Sequence, residues 1–356
     1  MGIRNLNKLL EYYGNAKNLY FSGREELCKA CFVTGINDIN IIDEIDNTRE
    51  LNSIKEMISR LEMDNTGLIT RNEDLYPEKL KNITDSPVLL YYKGNRSLFD
   101  KYKKKDLKNI AIVGARNCTE YGRKTAYELA YNLARNNINI ISGMARGIDK
   151  AAHLGALDAG GITTAILGSG INVCYPSENR DIYRRIMEKG IVISEYGLDE
   201  NPLAWHFPMR NRIISGLCDA IIVVEAREKS GSLITAERAL EQGKDIYAVP
   251  GRINDKLSRG CNNLIKEGAG IVISPEQIMD DLDIVMGVTD GFEKNKNITL
   301  EKDLELLYSC VDYFPKNIEQ LMCESKMGSV QFFKNIITLQ MMNLIDEPTK
   351  NVYVRR

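Results

Sequence analysis

The chain has 356 residues, of which 44% are apolar and 27% are charged, and its formal net charge is −2. A chain of this length can bury a sizeable core and form two or three domains, and its composition excludes extended disorder. Because the net charge is close to zero, binding to a polyanion requires a local basic patch. Such a patch lies at 110–150, where arginine and lysine outnumber aspartate and glutamate.

Several sequence features indicate the cellular compartment of the protein. No apolar stretch approaches the ~20 residues that cross a bilayer, and "MGIRNLNKLLEYYG" lacks the pattern of a signal peptide. The eight cysteines are scattered, and only Cys28 and Cys31 form a C-x-x-C pair, without a second pair or a histidine cluster to complete a zinc site. We therefore predict a cytoplasmic protein with reduced thiols, no bound metal and no membrane segment.

The first 105 residues predict a helical domain and a connecting segment. Within 1–60, apolar residues recur three and four positions apart in "NLNKLLEYY" and "SGREELCKACF", which is typical of short amphipathic helices. Residues 61–105 contain the early prolines and one strand candidate, "VLLYY". We interpret them as a linking extension.

Residues 106–290 alternate between short apolar runs and helical patterns. The runs lack period-2 alternation and include "IAIV" (110–113), "INIIS" (138–142), "TTAILG" (163–168) and "AIIVV" (220–224). Strands that are buried on both faces have this character. The spacing predicts an α/β domain with a doubly wound parallel sheet.

The C-terminal segment predicts a separate small domain. After a polar linker at 291–297, residues 295–356 contain three helical patterns and a short hairpin pattern in "LIDEPTKNVYVRR". Three helices and a hairpin in about 60 residues indicate a winged-helix-like domain.

Four turns rich in small residues follow predicted strands and precede predicted helices. Glycine permits sharp turns and close backbone approach, and arginine offers several hydrogen-bond donors. Free N–H groups at a helix N-terminus favour an anion. Because the carboxyl ends of parallel strands share one edge, we expect these turns to form one groove for an extended anionic ligand. The turns contain Gly114, Arg116, Gly143, Arg146, Gly147, Ser169, Gly170, Ser230, Gly231 and Ser232.

The usual nucleotide-cofactor motifs are absent. The first predicted strand is followed by "GARNCTEYG" rather than G-x-G-x-x-G, and no G-x-x-x-x-G-K-[ST] motif occurs. We predict no cofactor.

Catalytic candidates are few. Asp149 and His153 lie four residues apart on a predicted helix, so they could form a general base, or Asp149 could cap N–H groups while His153 packs below it. Glu237, on the helix after "SGS", could reach a ligand in the groove or be an ordinary exposed helix residue. We favour the structural interpretation in both cases and predict no catalytic residue.

The stretch "WHFPMRNRIISGL" (205–217) combines three ring-bearing residues with Arg210 and Arg212. Rings that stack on bases beside arginines that hold phosphates are typical of single-strand binding. Trp205 could stack in this way or cover the core, whereas Phe207 is more consistent with the core.

Several blocks resemble the DNA-processing protein A (DprA/Smf) family. They are "IAIVGAR", "SGMARGIDKAAHLGAL", "GITTAILGSGINVCYPSEN", "FPMRNRIISGL", "SGSLITAERALEQGKDIYAVPG" and "RGCNNLIKEGA", and with shorter blocks they cover most of 70–275 in order. The resemblance implies an extended Rossmann-like core that binds single-stranded DNA without strong sequence preference. It also implies a SAM-like N-terminal domain, a homodimer, delivery of DNA to the RecA recombinase in natural transformation, and no enzymatic activity.

The resemblance also implies site residues. It adds Ser142, Arg210 and Arg212 to the turn residues of the DNA groove, and we expect Leu264 and Ile265 in "CNNLIKEGA" to contact the dimer partner. An alternative is a Rossmann-like nucleotide phosphoribohydrolase that acts on nucleoside monophosphates, because "SGSLITAE" distantly resembles the P-G-G-x-G-T-x-x-E loop of that family. A third possibility is a regulator that binds DNA through residues 295–356 alone.

Overall fold

A computed structural model describes residues 2–38, 40–49, 51–104, 107–284, 302–312, 315–342 and 344–355. These residues divide into two compact units, one from 1–117 and 126–284 and the other from 118–125 and 285–356. Within the described ranges, no helix combines the length and apolarity that a membrane span requires. The predicted linker at 291–297 and the boundaries at 290 and 295 lie outside the described residues.

The N-terminal segment is helical, as predicted. Its apolar side chains form a small core in which Leu9, Leu27 and Ile41 are almost completely buried. The likeness of this segment to a SAM domain stays a prediction. The helices are α1 (Ile3–Tyr13), α2 (Ala16–Phe21), α3 (Arg24–Val33), α4 (Asn40–Asn47) and α5 (Leu51–Met63).

A nine-stranded sheet forms the centre of the first unit. Its strands are β1 (Gly67–Thr70), β2 (Leu89–Gly94), β3 (Asn109–Val113), β4 (Asn139–Ser142), β5 (Thr163–Ile166), β6 (Ile191–Ser194), β7 (Ala220–Val223), β8 (Asp245–Ala248) and β9 (Gly270–Ile271). Their order is β1-β2-β6-β5-β4-β3-β7-β8-β9. Neighbours from β6 to β9 in this order are parallel, whereas β2 is antiparallel to both β1 and β6. The predicted linking extension thus contributes β1 and β2 to the sheet.

Helices cover both faces of the sheet. Successive residues of β6 show this arrangement, because Ile191 and Ile193 pack into one apolar cluster and Val192 packs into another. A strand that is buried on both faces has mostly apolar residues at successive positions, which explains the nearly continuous apolar runs. The helices are α6 (Glu78–Lys81), α7 (Ser97–Lys104), α8 (Glu120–Arg135), α9 (Ile148–Asp158), α10 (Arg180–Lys189), α11 (His206–Leu217), α12 (Gly231–Glu241), α13 (Arg259–Lys266) and α14 (Pro275–Asp281).

The strand order reverses next to β3. The chain runs from β3 through β4 and β5 to β6 on one side, and it then returns to place β7 on the other side of β3. Connections leave such a point in opposite directions, so a crevice opens beyond the carboxyl ends of β3 and β7. The predicted doubly wound sheet is confirmed, and its switch point gives the position of the candidate site.

The C-terminal part of the second unit contains α15 (Lys302–Cys310), α16 (Ile318–Ser325) and α17 (Ser329–Met341). A three-stranded antiparallel sheet accompanies them, in the order β10 (Lys316–Asn317), β12 (Val352–Arg355), β11 (Ile345–Thr349). Leu307, Leu321 and Phe332 are fully buried between these elements. The three helices and the hairpin agree with the sequence pattern, and the winged-helix-like assignment stays a prediction.

Candidate nucleic-acid interface

A cavity of about 590 Å³ lies beyond the carboxyl ends of β3, β4 and β7. Its walls come from the end of β3 and the turn after it, from the turns after β4 and β5, and from the starts of α11 and α12. The lining residues are 113–116, 145, 149, 175, 202, 204, 207, 208, 210, 211, 214, 230–232 and 235. Three of the four turns that the sequence predicted to form one groove, those after β3, β4 and β7, therefore meet at one edge of the sheet.

The turn after β3 brings Arg116 to the rim of the cavity. Gly114 has no room for a side chain, because a Cβ atom there would lie 2.7 Å from the side chain of Ile148. Arg116 is exposed, and its guanidinium lies 5.0 Å from the centre of the Phe207 ring. Among the described residues, no carboxylate forms an ion pair with Arg116. Its charge is therefore available to an anion.

The turn after β4 packs directly on the turn after β3. Gly147 has a φ of 72°, and a Cβ atom there would overlap the carbonyl oxygens of Ala115 and Arg116. The amide of Ile148 also donates to the oxygen of Ala115 at 3.2 Å. Only glycine adopts this conformation without strain at such a close backbone approach. The contact holds Arg116 and Arg146 beside one another.

A second, smaller depression of about 60 Å³ is lined by Arg116, Arg146, Tyr175 and Phe207. Tyr175 is 47% exposed, and its ring centre lies 5.7 Å from that of Phe207. Arginines beside exposed rings suit a strand that presents both phosphates and bases. Sequence reasoning missed Tyr175 and assigned Phe207 to the core, although an aromatic residue before a proline in a loop after β5 was an available signal.

Asp149 and Arg210 hold the turn after β4 from inside. The Asp149 carboxylate accepts hydrogen bonds from the amides of Gly143 (3.1 Å) and Ala145 (3.3 Å). Arg210 donates to the carbonyl oxygens of Gly143 (2.7 Å) and Ile166. Burial raises the pKa of Asp149 despite the opposing effect of Arg210, and burial lowers the pKa of Arg210 to about 10.

Arg210 therefore has a different position from the one expected. The residue lines the cavity, but it is only 3% exposed, and its donors serve the carbonyl groups at the ends of β4 and β5. Its role is to hold the two strand ends together behind the surface of the groove.

The N-terminus of α12 opens onto the cavity. Ser230 caps the helix, and its hydroxyl accepts a hydrogen bond from the amide of Ser232 at 3.3 Å. A Cβ atom at Gly231 would have no neighbour within 4 Å, so the backbone there is open to a ligand. The helix dipole and free N–H groups make this end favourable for a phosphate.

Trp205 lies just before α11 and is 60% exposed. Its ring contacts His206 edge-on at a centroid distance of 4.1 Å. The adjacent residues Ala204 and Phe207 line the cavity. The exposed part of the indole is therefore accessible to a base.

Three residues expected on the groove are buried away from it. The Ser142 hydroxyl donates to the oxygen of Ile112 at 2.7 Å and so joins β4 to β3. The Ser169 hydroxyl donates to the oxygen of Val173 at 2.8 Å. The amide of Gly170 donates to the oxygen of Glu200 at 2.7 Å. The loop after β5 thus closes on its neighbours, and the position expected for Ser142, Ser169 and Gly170 is corrected.

Arg212 also lies inside the fold. Its guanidinium contacts the carboxylate of Glu195 at 2.7 Å and that of Asp85 at 3.6 Å, and only 2% of its side chain is exposed. Arg210 and Arg212 are two positions apart on α11, so they point to nearly opposite sides of the helix. The expected groove position of Arg212 is corrected for this reason.

The catalytic alternatives receive no support from the geometry. Asp149 bonds to backbone amides, whereas Nδ1 of the fully buried His153 is 2.7 Å from the Thr163 hydroxyl. The hydroxyl of Thr163 donates to the oxygen of Ile140, so it accepts from His153 Nδ1. Glu237 is exposed and is not among the residues that line the cavity. The structural interpretation accounts for all three side chains.

The buried His153 predicts an acid-sensitive fold. Burial lowers the pKa of His153 from 6.5 to about 3, so between these values the unfolded chain binds a proton that the folded chain does not. We expect His153 to make the free energy of unfolding about 2 kcal/mol lower at pH 5 than at neutral pH. Urea unfolding of wild type and His153→Gln at both pH values measures this difference. An equal pH dependence of the two proteins contradicts the prediction.

The family of this chain follows from comparisons with known proteins. The family model of DNA recombination-mediator protein A matches residues 67–283. The DNA processing protein DprA of Streptococcus pneumoniae is 47% identical over 211 residues, which cover 59% of this chain and 72% of that protein. The DprA of Bacillus subtilis is 42% identical over 207 residues, or 58% and 68% of the two chains. Protein Smf of Escherichia coli is 40% identical over 231 residues, or 65% and 60%.

Solved structures give the same result. The structure of DprA from Streptococcus pneumoniae matches with a TM-score of 0.69 at 38% identity and covers 78% of this chain and 93% of that chain. That of DNA processing protein A from Helicobacter pylori matches with a TM-score of 0.55 at 29% identity and covers 61% and 95%. The resemblance drawn from the sequence blocks is thereby confirmed, and this chain belongs to the DNA recombination-mediator protein A family, the DprA/Smf proteins.

Proposed function

We propose that this chain binds single-stranded DNA, without strong sequence preference, along the edge of the sheet where the turns after β3, β4 and β7 meet. The observation that carries this proposal is Arg116, an exposed arginine with no carboxylate partner in the described part of the chain, above the Phe207 ring at the rim of the cavity. The Helicobacter pylori relative, whose structure concerns its single-stranded DNA binding mode, supports the same ligand class.

The proposed site makes two kinds of contact with the strand, one with phosphates and one with bases. Arg116, Arg146 and the N-terminus of α12 offer positive charge or free N–H groups to successive phosphates. Tyr175 and Trp205 expose rings on which bases of any type can stack. Since phosphates and base faces are common to all sequences, binding of this kind carries little sequence preference.

The proposed site keeps most of the residues expected from the sequence. Arg116, Arg146, Trp205, Ser230, Gly231 and Ser232 form its surface. Gly114, Gly143, Gly147 and Arg210 shape the turns behind it, because they allow or hold the close backbone contacts. Ser142, Ser169, Gly170 and Arg212 are left out of the proposed contacts.

The biological role that follows is that of a carrier rather than an enzyme. We propose that a homodimer of this protein delivers bound single-stranded DNA to the RecA recombinase in the cytoplasm, during natural transformation or related DNA processing. Leu264 and Ile265 are half-buried against the core, and their remaining apolar surface is the part proposed to contact the second subunit. Family membership supports this role.

Fluorescence anisotropy over a salt series tests the proposal. We expect oligo-dT and a mixed-sequence single strand to bind with similar affinity and a duplex to bind more weakly. Each phosphate neutralised contributes about −0.7 to the slope of log K against log salt. Arg116, the N-terminus of α12 and the ion-paired Arg146 thus predict a slope between about −1.4 and −2. No binding at low salt, or binding that does not depend on salt, would refute the proposed function.

A further inference from the structure

The two arginines that line the small depression differ in one respect. Arg116 has no ion-pair partner among the described residues, whereas the Arg146 guanidinium lies 3.0 Å from the carboxylate of Glu178. Both members of this pair are about half-exposed, with 58% and 47% of their side chains accessible. A phosphate can reach Arg146, but a carboxylate already occupies the position beside it.

The turn that carries Glu178 is bonded to the loop that carries Arg146. Glu178 lies in a 3₁₀ turn (Ser177–Asn179), and the next residue, Asn179, is fully buried. The side-chain amide of Asn179 donates to the carbonyl oxygens of Met144 (2.8 Å) and Ala145 (3.3 Å). These bonds tie the turn that bears Glu178 to the residues that immediately precede Arg146. The ion pair therefore connects two segments that the fold already holds in register.

A phosphate that binds Arg146 must displace Glu178 or share the guanidinium with it. Displacement costs the energy of an exposed ion pair, which is small. The released carboxylate also stays close to the phosphate, because its turn is held by Asn179, and like charges at that separation repel. Both effects weaken a phosphate contact that Arg146 could otherwise make at full strength.

We propose that Glu178 is a built-in competitor of the DNA phosphate at Arg146 and that it limits both the affinity and the salt dependence of the strand site. This inference rests on the proposed function. It predicts that the site binds DNA less tightly than it would without the Glu178 carboxylate, so that a bound strand dissociates more readily.

The test is the Glu178→Gln variant, which removes the charge and keeps the shape. Anisotropy with a fluorescent oligo-dT at 50 mM and at higher salt compares wild type with Glu178→Gln. We expect the variant to bind three- to tenfold more tightly at low salt, with a slope of log K against log salt that is steeper by up to about 0.7, because Arg146 then neutralises one phosphate fully.

Two further variants make the result specific. In the double variant Arg146→Ala with Glu178→Gln, the gain over Arg146→Ala alone should be much smaller than the gain of Glu178→Gln over wild type, since no guanidinium then holds a phosphate beside Glu178. Glu241→Gln is the matched control, because it removes the same charge from an exposed pair with Arg238 at the far end of α12. It should leave the affinity unchanged.

Each outcome has a distinct meaning. If wild type binds oligo-dT and Glu178→Gln binds equally or more weakly, the inference is overturned and the proposed function stands. An equal gain in Glu241→Gln also overturns it, because the effect then comes from net charge. If wild type does not bind single-stranded DNA at any salt concentration, the proposed function fails. Thermal unfolding of each variant checks that the fold is retained, and Glu178→Ala repeats the test with a second side chain.

Discussion

Arg210→Ala is expected to lower the free energy of unfolding by about 3–5 kcal/mol, because it leaves two buried carbonyl oxygens without their charged donor. The variant leaves the Asp149 carboxylate without its nearby positive charge and the carbonyl oxygens of Gly143 and Ile166 without their donor. The ends of β4 and β5 then lose the bond that joins them. Urea denaturation at pH 7 measures the change.

Arg238→Ala is the control for this prediction. Arg238 pairs with Glu241 on the exposed surface of α12 at 2.9 Å, and exposed pairs contribute about 0–1 kcal/mol. If Arg210→Ala costs no more than Arg238→Ala, Arg210 does not have the structural role assigned to it. In that case its position in the wall of the cavity would again favour a direct contact with ligand.

Arg116→Ala is expected to weaken binding of single-stranded DNA at least tenfold at low salt while leaving the stability almost unchanged. The side chain is exposed and has no carboxylate partner in the described ranges, so its removal costs little in the folded state. A lost phosphate contact lowers affinity for all sequences alike and makes the salt slope shallower by about 0.7. Anisotropy with oligo-dT and a mixed-sequence strand measures both quantities.

Arg135→Ala provides a matched comparison. Arg135 is also an exposed arginine above an aromatic ring, with its guanidinium 5.9 Å from the centre of Tyr131, but it lies on α8 outside both depressions. We expect it to bind DNA like wild type. Equal losses in the two variants would indicate a general effect of positive charge rather than a site at Arg116.

The architecture was predictable because its signals are local. A strand buried on both faces is mostly apolar at successive positions, so runs such as "IAIV" and "AIIVV" identify β3 and β7 without knowledge of their partners. The glycines of the turns were equally visible, since a side chain at Gly114 would meet Ile148 and one at Gly147 would meet the backbone of the turn after β3. Parallel connectivity then brings the turns after β3, β4 and β7 to one edge.

The roles of individual side chains were not predictable in the same way. Arg210 and Arg212 are both arginines beside aromatic residues in the sequence, yet Arg210 joins two strand ends and Arg212 pairs with Glu195. Arg116, in contrast, has no carboxylate partner among the described residues. What separates them is the burial of each guanidinium and the distance to a carboxylate remote in the chain. Tyr175 became a candidate only when the fold placed it beside Phe207.

Local patterns of residue type therefore determined the succession of strands and turns along the chain. They also identified the glycines at the close contacts and the family. The choice of which charges face a ligand belongs to the folded chain, because it depends on partners such as Asp85 and Glu178 that lie far from the arginines in sequence or on a different loop. The residue type specifies which interactions a side chain can make. Long-range packing decides whether the side chain makes them inside the protein or remains at the surface for a ligand.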